Sequence, residues 1–168
     1  YNKKMKKKIL TFIPLFIILL ANSCTGYKPI FSASNLKFQI VEHSIKGNKR
    51  LANQIYSKLY NVSAINNNDD TARSIKINLN VDINKNPTVK NNAGKILEYK
   101  IYLITDIIVN DYLTNKELLK QNFNYDSSYK VQDQHSETVK LEKKALENLV
   151  DKTSQDLLIK ISESISSE

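Results

Sequence analysis

Residue types that build familiar catalytic and metal sites are scarce in this chain of 168 residues. It has one Cys, two His, three Gly, three Pro and no Trp. A single Cys excludes an internal disulfide framework and a Cys-based metal cluster within one chain, and two His leave little basis for a His-rich metal site. The sequence also lacks a Gly-rich phosphate loop, a His-Glu-x-x-His motif and a Gly-x-Ser-x-Gly motif. We therefore expect no enzyme, no catalytic residue, no metal and no dissociable cofactor.

Acidic residues are missing from the N-terminal segment, and this absence explains most of the net charge. The chain carries 25 Lys and Arg against 17 Asp and Glu, but no acid precedes Glu42 and five lysines lie within residues 3–8. The sequence from Cys24 onward keeps 20 basic and 17 acidic residues, a net charge of only +3. Because nucleic-acid binding needs a basic stripe on the folded domain, we expect no nucleic-acid partner.

A short apolar segment follows these lysines and predicts a signal peptide. Residues 9–21 form a 13-residue stretch with almost no polar side chain. Spanning a bilayer requires about 20 apolar residues, whereas the apolar core of a signal peptide has about 7–15 behind a positive segment. The alternative, a buried N-terminal helix, fits poorly with five lysines at its start. We predict a lipoprotein signal peptide over residues 1–23.

The one cysteine, Cys24, lies directly after this segment, behind Ala21, Asn22 and Ser23. This arrangement resembles the bacterial lipobox, although Ala21 stands where Leu is usual. The resemblance implies a covalent diacylglycerol and an N-acyl chain such as palmitate on Cys24, and two or more acyl chains anchor a protein stably. Thr25 follows the cysteine instead of Asp, which in lipoprotein sorting implies the outer membrane. The alternative is an ordinary small buried cysteine.

The rest of the chain shows the periodicities of a single domain over residues 36–168, preceded by a lipidated tether over residues 24–35. Alternating apolar and polar side chains predict strands over 36–40, 75–83, 97–111 and 117–129. Apolar residues at three- and four-residue steps predict helices over 49–60 and from 136 to 165, the latter capped by Ser136 or Thr138. The third strand is apolar on both alternations, which fits a strand covered on both faces or one whose second face meets a partner.

This order of elements predicts the fold class. A strand, a helix, three strands and a helix indicate an α+β two-layer sandwich, with two helices packed on one face of a four-stranded mixed sheet. The first helix would join two parallel strands by a right-handed crossover. The order of the strands within the sheet stays open.

Three lysines are candidate contacts to a ligand. Residues 85–95 contain three Asn, Pro87 and Gly94 and predict a loop, which carries Lys85, Lys90 and Lys95. Ammonium groups on a flexible projection suit phosphates on a lipid head group such as lipopolysaccharide. The alternative is that these lysines serve solubility alone.

Five other polar residues give weaker signals. Asp106 lies among apolar neighbours, where an acid usually needs a partner, and we expect a sheet-edge or rim position for it. Asp69 and Asp70 lie in a run of Asn and predict a solvated turn, not a metal pair. His43 and His135 lie near the ends of predicted elements, and we expect both to be exposed.

The residues after the cysteine point to a family. Gly26-Tyr27-Lys28-Pro29-Ile30-Phe31 resembles the Cys-Gly-Phe-x-Pro-Leu-Tyr opening of the LPS-assembly lipoproteins, the LptE (RlpB) family. Thr25 is inserted between Cys24 and Gly26, but the aromatic, Pro, aliphatic and aromatic residues keep their order. The predicted order of strands and helices is similar to that of the family as well.

The resemblance implies a function without catalysis. Such a protein is anchored on the periplasmic side of the outer membrane of a Gram-negative cell, plugs an LptD-like β-barrel and helps it to assemble. It supports lipopolysaccharide transport to the cell surface, and its sheet and loops would face the barrel interior. Two alternatives remain: a generic membrane-anchored interaction protein of another envelope complex, and a membrane-bound enzyme.

Overall fold

Six elements follow one another in the computed structural model, which describes residues 38–64 and 72–167. They are β1 (Phe38–Gly47), α1 (Lys49–Ala64), β2 (Arg73–Lys90), β3 (Ile96–Asp111), β4 (Glu117–Lys130) and α2 (His135–Ser166). The predicted order is confirmed. The signal peptide, Cys24, the tether, the motif at residues 26–31 and the pair Asp69 and Asp70 lie outside the described residues.

The four strands form one mixed sheet in chain order. β1 pairs parallel with β2, while the β2–β3 and β3–β4 pairs are antiparallel. The parallel pair is joined by α1, as the sequence predicts for a crossover. In the described part of the chain, β1 and β4 are therefore the two edges of the sheet.

Both helices pack on the same face of this sheet, and the core lies between the two layers. Alternate residues of the two central strands are almost completely buried on this face: Ile75, Ile77, Leu79, Val81, Ile101, Leu103, Ile107 and Val109. The helices contribute the other layer of the core, with Leu51, Ile55, Leu59, Leu149, Leu157 and Ile161. The predicted α+β two-layer sandwich is confirmed.

A tight turn joins β1 to α1. Gly47 has φ +72°, a left-handed conformation that glycine adopts at little cost. The next residue, Asn48, donates its backbone N–H to the Val81 carbonyl at 2.6 Å. Its side-chain oxygen accepts a hydrogen bond from the Leu51 N–H at 3.2 Å, which satisfies a free donor at the helix start.

The start of α2 differs from its prediction. Gln134 is the N-cap and makes no side-chain cap hydrogen bond, so the predicted caps Ser136 and Thr138 were wrong. Thr138 is buried and its hydroxyl accepts a hydrogen bond from the Gln132 N–H at 2.9 Å. Val139 is the first apolar residue of the three- and four-residue steps that predict this helix, which would place it on the buried side, but it is 48% exposed. At the start of α2 the buried position is therefore Thr138, and Val139, the next residue, faces solvent.

The predicted loop over residues 85–95 is the largest error. β2 continues to Lys90 and β3 begins at Ile96, so the connection is a short turn closed by Asn91. The Asn91 side chain accepts hydrogen bonds from the N–H groups of Ala93 and Lys95 at 3.0 and 2.9 Å. The apolar alternation of β2 stops near Ile83 because few side chains are buried beyond it, but the backbone pairing with β3 continues.

None of the described helices is both long and apolar enough to cross a membrane.

Candidate interaction surfaces

The face of the sheet opposite the helices, here called the open face, carries even-numbered residues of β2, β3 and β4. Cross-strand pairing aligns these side chains in rows across the sheet. One row is Lys46, Asn80, Asp106 and Asn122, and the rows on either side of it are Ser44, Asn78, Ile108, Lys120 and Asp82, Ile104, Asn124. Side-chain amides and carboxylates therefore surround a few apolar residues.

Asp106 lies in the middle of this open face. Its carboxylate accepts hydrogen bonds from the side-chain amides of Asn122 at 2.7 Å and Asn80 at 3.3 Å. Asp106 lies among apolar residues in sequence, where an acid usually needs hydrogen-bond partners, and these two amides are its partners. The expected position at a sheet edge or rim was wrong, because β3 is an interior strand. Within residues 38–64 and 72–167, no group of three His, Cys, Asp or Glu side chains is placed to hold a metal ion.

Apolar side chains run along β3 within this polar surface. Tyr102, Ile104 and Ile108 are half-buried, although both helices lie on the other side of the sheet. Beside Ile108, a shallow depression of about 340 Å³ is lined by Ser44, Lys46, Asn78 and Asp106 among others. The two described helices cover only one face of β3, so the interpretation that this strand is covered on both faces was wrong for them. A partner on the second face stays a prediction.

Charged side chains near both ends of the open face are paired. Lys76 Nζ lies 2.5 Å from Glu42 Oε1, and Lys100 Nζ lies 3.0 Å from Asp126 Oδ2. The hydrogen bond to Asp126 raises the pKa of Lys100. Exposed pairs of this kind add little to stability. Their larger effect is to leave a surface with many hydrogen-bonding groups and little net charge.

Lys85 lies on the helix-covered side of the sheet, where it is held by a group of side chains from three elements. Its Nζ is 2.7 Å from Glu142 Oε2 of α2 and 4.6 Å from the centre of the Tyr99 ring. The Tyr129 hydroxyl donates a hydrogen bond to the same Glu142 oxygen at 2.9 Å. Partial burial opposes ionisation of Glu142, but the hydrogen bonds from Lys85 and Tyr129 outweigh it and lower the pKa of this carboxyl.

The three candidate lysines are therefore not together on one loop. Lys90 is exposed at the end of β2 and has no ion-pair partner among residues 38–64 and 72–167. Lys95 lies in the turn, with Nζ 3.9 Å from Asp133 Oδ1 and both side chains largely exposed. Lys85 is partly accessible but paired with Glu142, whereas the side chains of Lys90 and Lys95 are exposed and not held by a close ion pair. Contact with phosphate stays a prediction.

Both histidines are exposed, as predicted. His135 lies at the start of α2. The ring of His43 stacks on Tyr56 of α1 with 4.0 Å between ring centres. The open-face amides of Asn78, Asn80 and Asn122 were not among the residues predicted from sequence to form a site. Their even-numbered alternation with buried residues was the available signal.

Comparison with solved structures identifies proteins with a similar fold. Lipoprotein B from Nitrosomonas europaea matches with a TM-score of 0.59 and 19% identity, over 84% of this chain and 94% of that one. A candidate lipoprotein from Caulobacter crescentus matches with a TM-score of 0.54 and 12% identity, over 80% of this chain and 95% of that one. Rare lipoprotein B from Shewanella oneidensis has 16% identity over 75% of this chain and 94% of its own, but its TM-score of 0.46 supports no inference.

At these identities the likeness concerns the fold alone. No family model matches the sequence, and no curated protein matches it.

Proposed function

We propose that this chain is an outer-membrane lipoprotein of lipopolysaccharide assembly, which plugs an LptD-like β-barrel and helps it to assemble. One observation carries the proposal: a lipobox-like Cys24 and an LptE-like motif precede a domain whose fold is shared with lipoprotein B from Nitrosomonas europaea. The candidate lipoprotein from Caulobacter crescentus has the same type of fold. In this proposal the chain is not an enzyme and binds no cofactor.

Cys24 is the anchor in this proposal. A diacylglycerol and an N-acyl chain on one residue supply enough buried methylene groups for stable attachment, at about 0.8 kcal/mol for each. The tether over residues 24–35 then connects the lipid to the folded domain, which lies on the periplasmic side of the outer membrane.

The composition of the open face supports a partner with a polar surface. The lumen of an outer-membrane β-barrel is polar, and Asn78, Asn80 and Asn122 offer amide groups that both donate and accept hydrogen bonds. The half-buried Ile104 and Ile108 would lose their remaining contact with water in such a contact. Lys90 and Lys95, at the turn of the β2–β3 hairpin, are the proposed contacts to lipopolysaccharide phosphates.

The first experiment tests the anchor. Mass spectrometry of the protein purified from envelope membranes should show acyl chains on Cys24. The variant C24S should keep the fold, as judged by circular dichroism, but leave the membrane fraction. An unacylated wild-type N-terminus, or a C24S variant that stays with the membranes, would contradict lipidation.

The second experiment tests the partner. The LptD-like barrel should co-purify with the detergent-solubilised chain, and its folded form should decrease when the chain is depleted. The variant Ile104→Arg on the open face should lose the barrel, whereas Val139→Arg should retain it. Val139 is the matched control because it is an exposed apolar residue on the helix layer. Equal recovery of the barrel with both variants would exclude the open face as the contact.

The alternative is an anchored interaction protein of another envelope complex. The polar open face supports it as well, because such a surface suits several kinds of protein partner. This alternative also requires lipidation, but it predicts that depletion of the chain leaves the folded barrel unchanged.

A further inference from the structure

β4 is an edge strand with unpaired backbone groups at its C-terminal end. The Val131 N–H donates to the Leu97 carbonyl at 2.8 Å, and the β3–β4 register is constant from that end of the ladder to Leu119. In an antiparallel ladder the hydrogen-bonded residues alternate, so odd-numbered residues of β4 bond to β3. The N–H and C=O groups of Ser128 and Lys130 therefore point away from the sheet. No partner for them lies in the described part of the chain.

A groove runs beside this free edge. Its volume is about 400 Å³, and it lies between the last residues of β4 and the first half of α2. Leu141 and Ala145 of α2 supply apolar surface, the first half-buried and the second 5% exposed. A strand edge next to a partly apolar helix is the geometry in which extended peptides add to a sheet.

The charges at this groove are unbalanced. Lys130 and Lys144 line it, and neither has an ion-pair partner within residues 38–64 and 72–167. One acid, Glu98, lines the groove as well and accepts a hydrogen bond from Thr88 at 2.8 Å. Glu142 lies nearby and is paired with Lys85. The lining therefore carries two ammonium groups against one carboxylate, and its net charge is positive.

We propose that this groove binds an extended acidic segment of a partner protein, which adds to the sheet as a fifth strand next to β4. The segment's backbone pairs with the outward N–H and C=O groups of Ser128 and Lys130. Side chains of a strand alternate between its two faces. The carboxylates of the segment lie on the side of the open face at Lys130, and its apolar side chains lie on the side of α2 on Ala145 and Leu141, where Lys144 adds positive charge at the rim. This inference does not depend on the proposed function.

Two other occupants fit less well. The chain's own tether, residues 24–35, contains one charged residue, Lys28, and no acid. A second copy joined edge to edge would bring Lys130 and Lys144 of both copies to one interface, and like charges at an interface oppose association.

Binding of a synthetic probe to the full chain in detergent micelles tests the proposal. The probe is a fluorescein-labelled peptide of alternating Glu and Val, eight residues long, followed by fluorescence anisotropy. Two matched peptides serve as controls: one has Lys in place of Glu, and the other has N-methyl groups on alternate backbone nitrogens. We expect the acidic peptide to bind, and both control peptides to bind at least about tenfold more weakly.

Variants of the chain localise the contact. The double variant Lys130→Glu with Lys144→Glu should bind the acidic peptide at least about tenfold more weakly than the wild type. The control pair, Lys49→Glu with Lys143→Glu, makes the same change of charge at exposed residues outside the groove and should bind like the wild type. Thermal melts show that each variant is folded.

Four results would overturn the proposal. They are equal binding by both double variants, undiminished binding of the N-methylated peptide, displacement of the peptide by inorganic phosphate at constant ionic strength, and dimerisation of the free chain through β4 in sedimentation. The third result would indicate an anion site instead of a strand site. The fourth would indicate a second copy.

Discussion

The two faces of β3 use alternate residues of the same strand for different purposes. Ile101, Leu103 and Ile107 face the helices and are at most 1% exposed, whereas Ile104 and Ile108, on the open face, are only half-buried. Burial of apolar surface is the main source of folding free energy. The covered face therefore determines whether the domain folds, while the open face keeps apolar side chains available for contacts with other molecules.

Replacing Leu149 with Asp should have the largest effect, because it places an unpaired carboxylate in the covered layer. Leu149 is 3% exposed, and the loss in free energy of unfolding should be at least about 3–5 kcal/mol, enough to unfold a domain of this size. Ile108→Asp is the matched change on the open face, beside Lys120, and should cost about 1 kcal/mol or less. Urea titrations followed by circular dichroism measure both, and similar losses would show that the two faces are equally buried.

Gly47→Ala comes next and tests the turn below the covered face. A left-handed φ costs a residue with a Cβ about 1–3 kcal/mol, and the new Cβ would lie 2.3 Å from the Val81 carbonyl oxygen. Gly94 in the hairpin turn has φ +79° and open space around it, so Gly94→Ala should lose only the conformational part, about 1–2 kcal/mol. The difference between the two variants in free energy of unfolding isolates the steric clash. Equal losses would contradict the close approach of Gly47 to Val81.

Asp111→Asn should produce a smaller effect that depends on pH. The Thr114 N–H and the Arg73 guanidinium, which lies 2.6 Å from Oδ2, hold the pKa of Asp111 well below its ordinary value of 3.8. A lowered pKa in the folded state stabilises the protein above the unfolded value, and this contribution is lost as the pH falls below it. The wild type should therefore lose more stability than the variant between about pH 4 and pH 2. Urea titrations at a series of pH values measure the free energy of unfolding of both proteins. An equal decrease in the wild type and the variant between about pH 4 and pH 2 would contradict this assignment.

The smallest expected effect is the difference in stability between variants of Lys85 and Lys90, two lysines that were predicted to lie on the same loop. Lys85→Met removes the ion pair with Glu142 and the contact with the Tyr99 ring, and we expect a loss of about 0.5–1 kcal/mol. Lys90→Met should change stability by less than about 0.5 kcal/mol, because Lys90 is exposed. Thermal melts at equal ionic strength distinguish them. An unchanged melting temperature of the Lys85→Met variant would show that the contacts of Lys85 with Glu142 and Tyr99 do not stabilise the hairpin.

Local periodicity predicted the helices and strands well where alternate side chains are buried in the core. The alternation from Ile75 to Ile83 gave β2, and the three- and four-residue steps gave α2 almost to its last residue. It failed where backbone pairing continues without burial, since nothing in the side chains of Asn84 or Asn86 signals a strand. The partner of Lys85 is 57 residues away along the chain, so no local pattern could reveal it.

The candidate surfaces were predictable only in part. The second apolar alternation of β3 indicated that Tyr102, Ile104 and Ile108 could meet a partner, and these residues do share the open face. The rows that place Asn80 and Asn122 on either side of Asp106 depend on the strand order and on the register. Both are set by pairings between distant segments, so the polar surroundings of this acid could not be derived from sequence. The free edge of β4 depends on the same information.

The end of the β2–β3 hairpin extends beyond the part of the sheet that the helices cover, and the side chains of residues 84–90 are exposed. Past the ring contact between Tyr99 and Tyr129, its two arms hold each other mainly through backbone hydrogen bonds, and such bonds open without global unfolding. In deuterium exchange, amides between Thr88 and Glu98 should therefore exchange early, while those of Ile101 to Val109 wait for the whole domain to open. The domain therefore has one end whose backbone hydrogen bonds open locally while the rest of the fold stays intact.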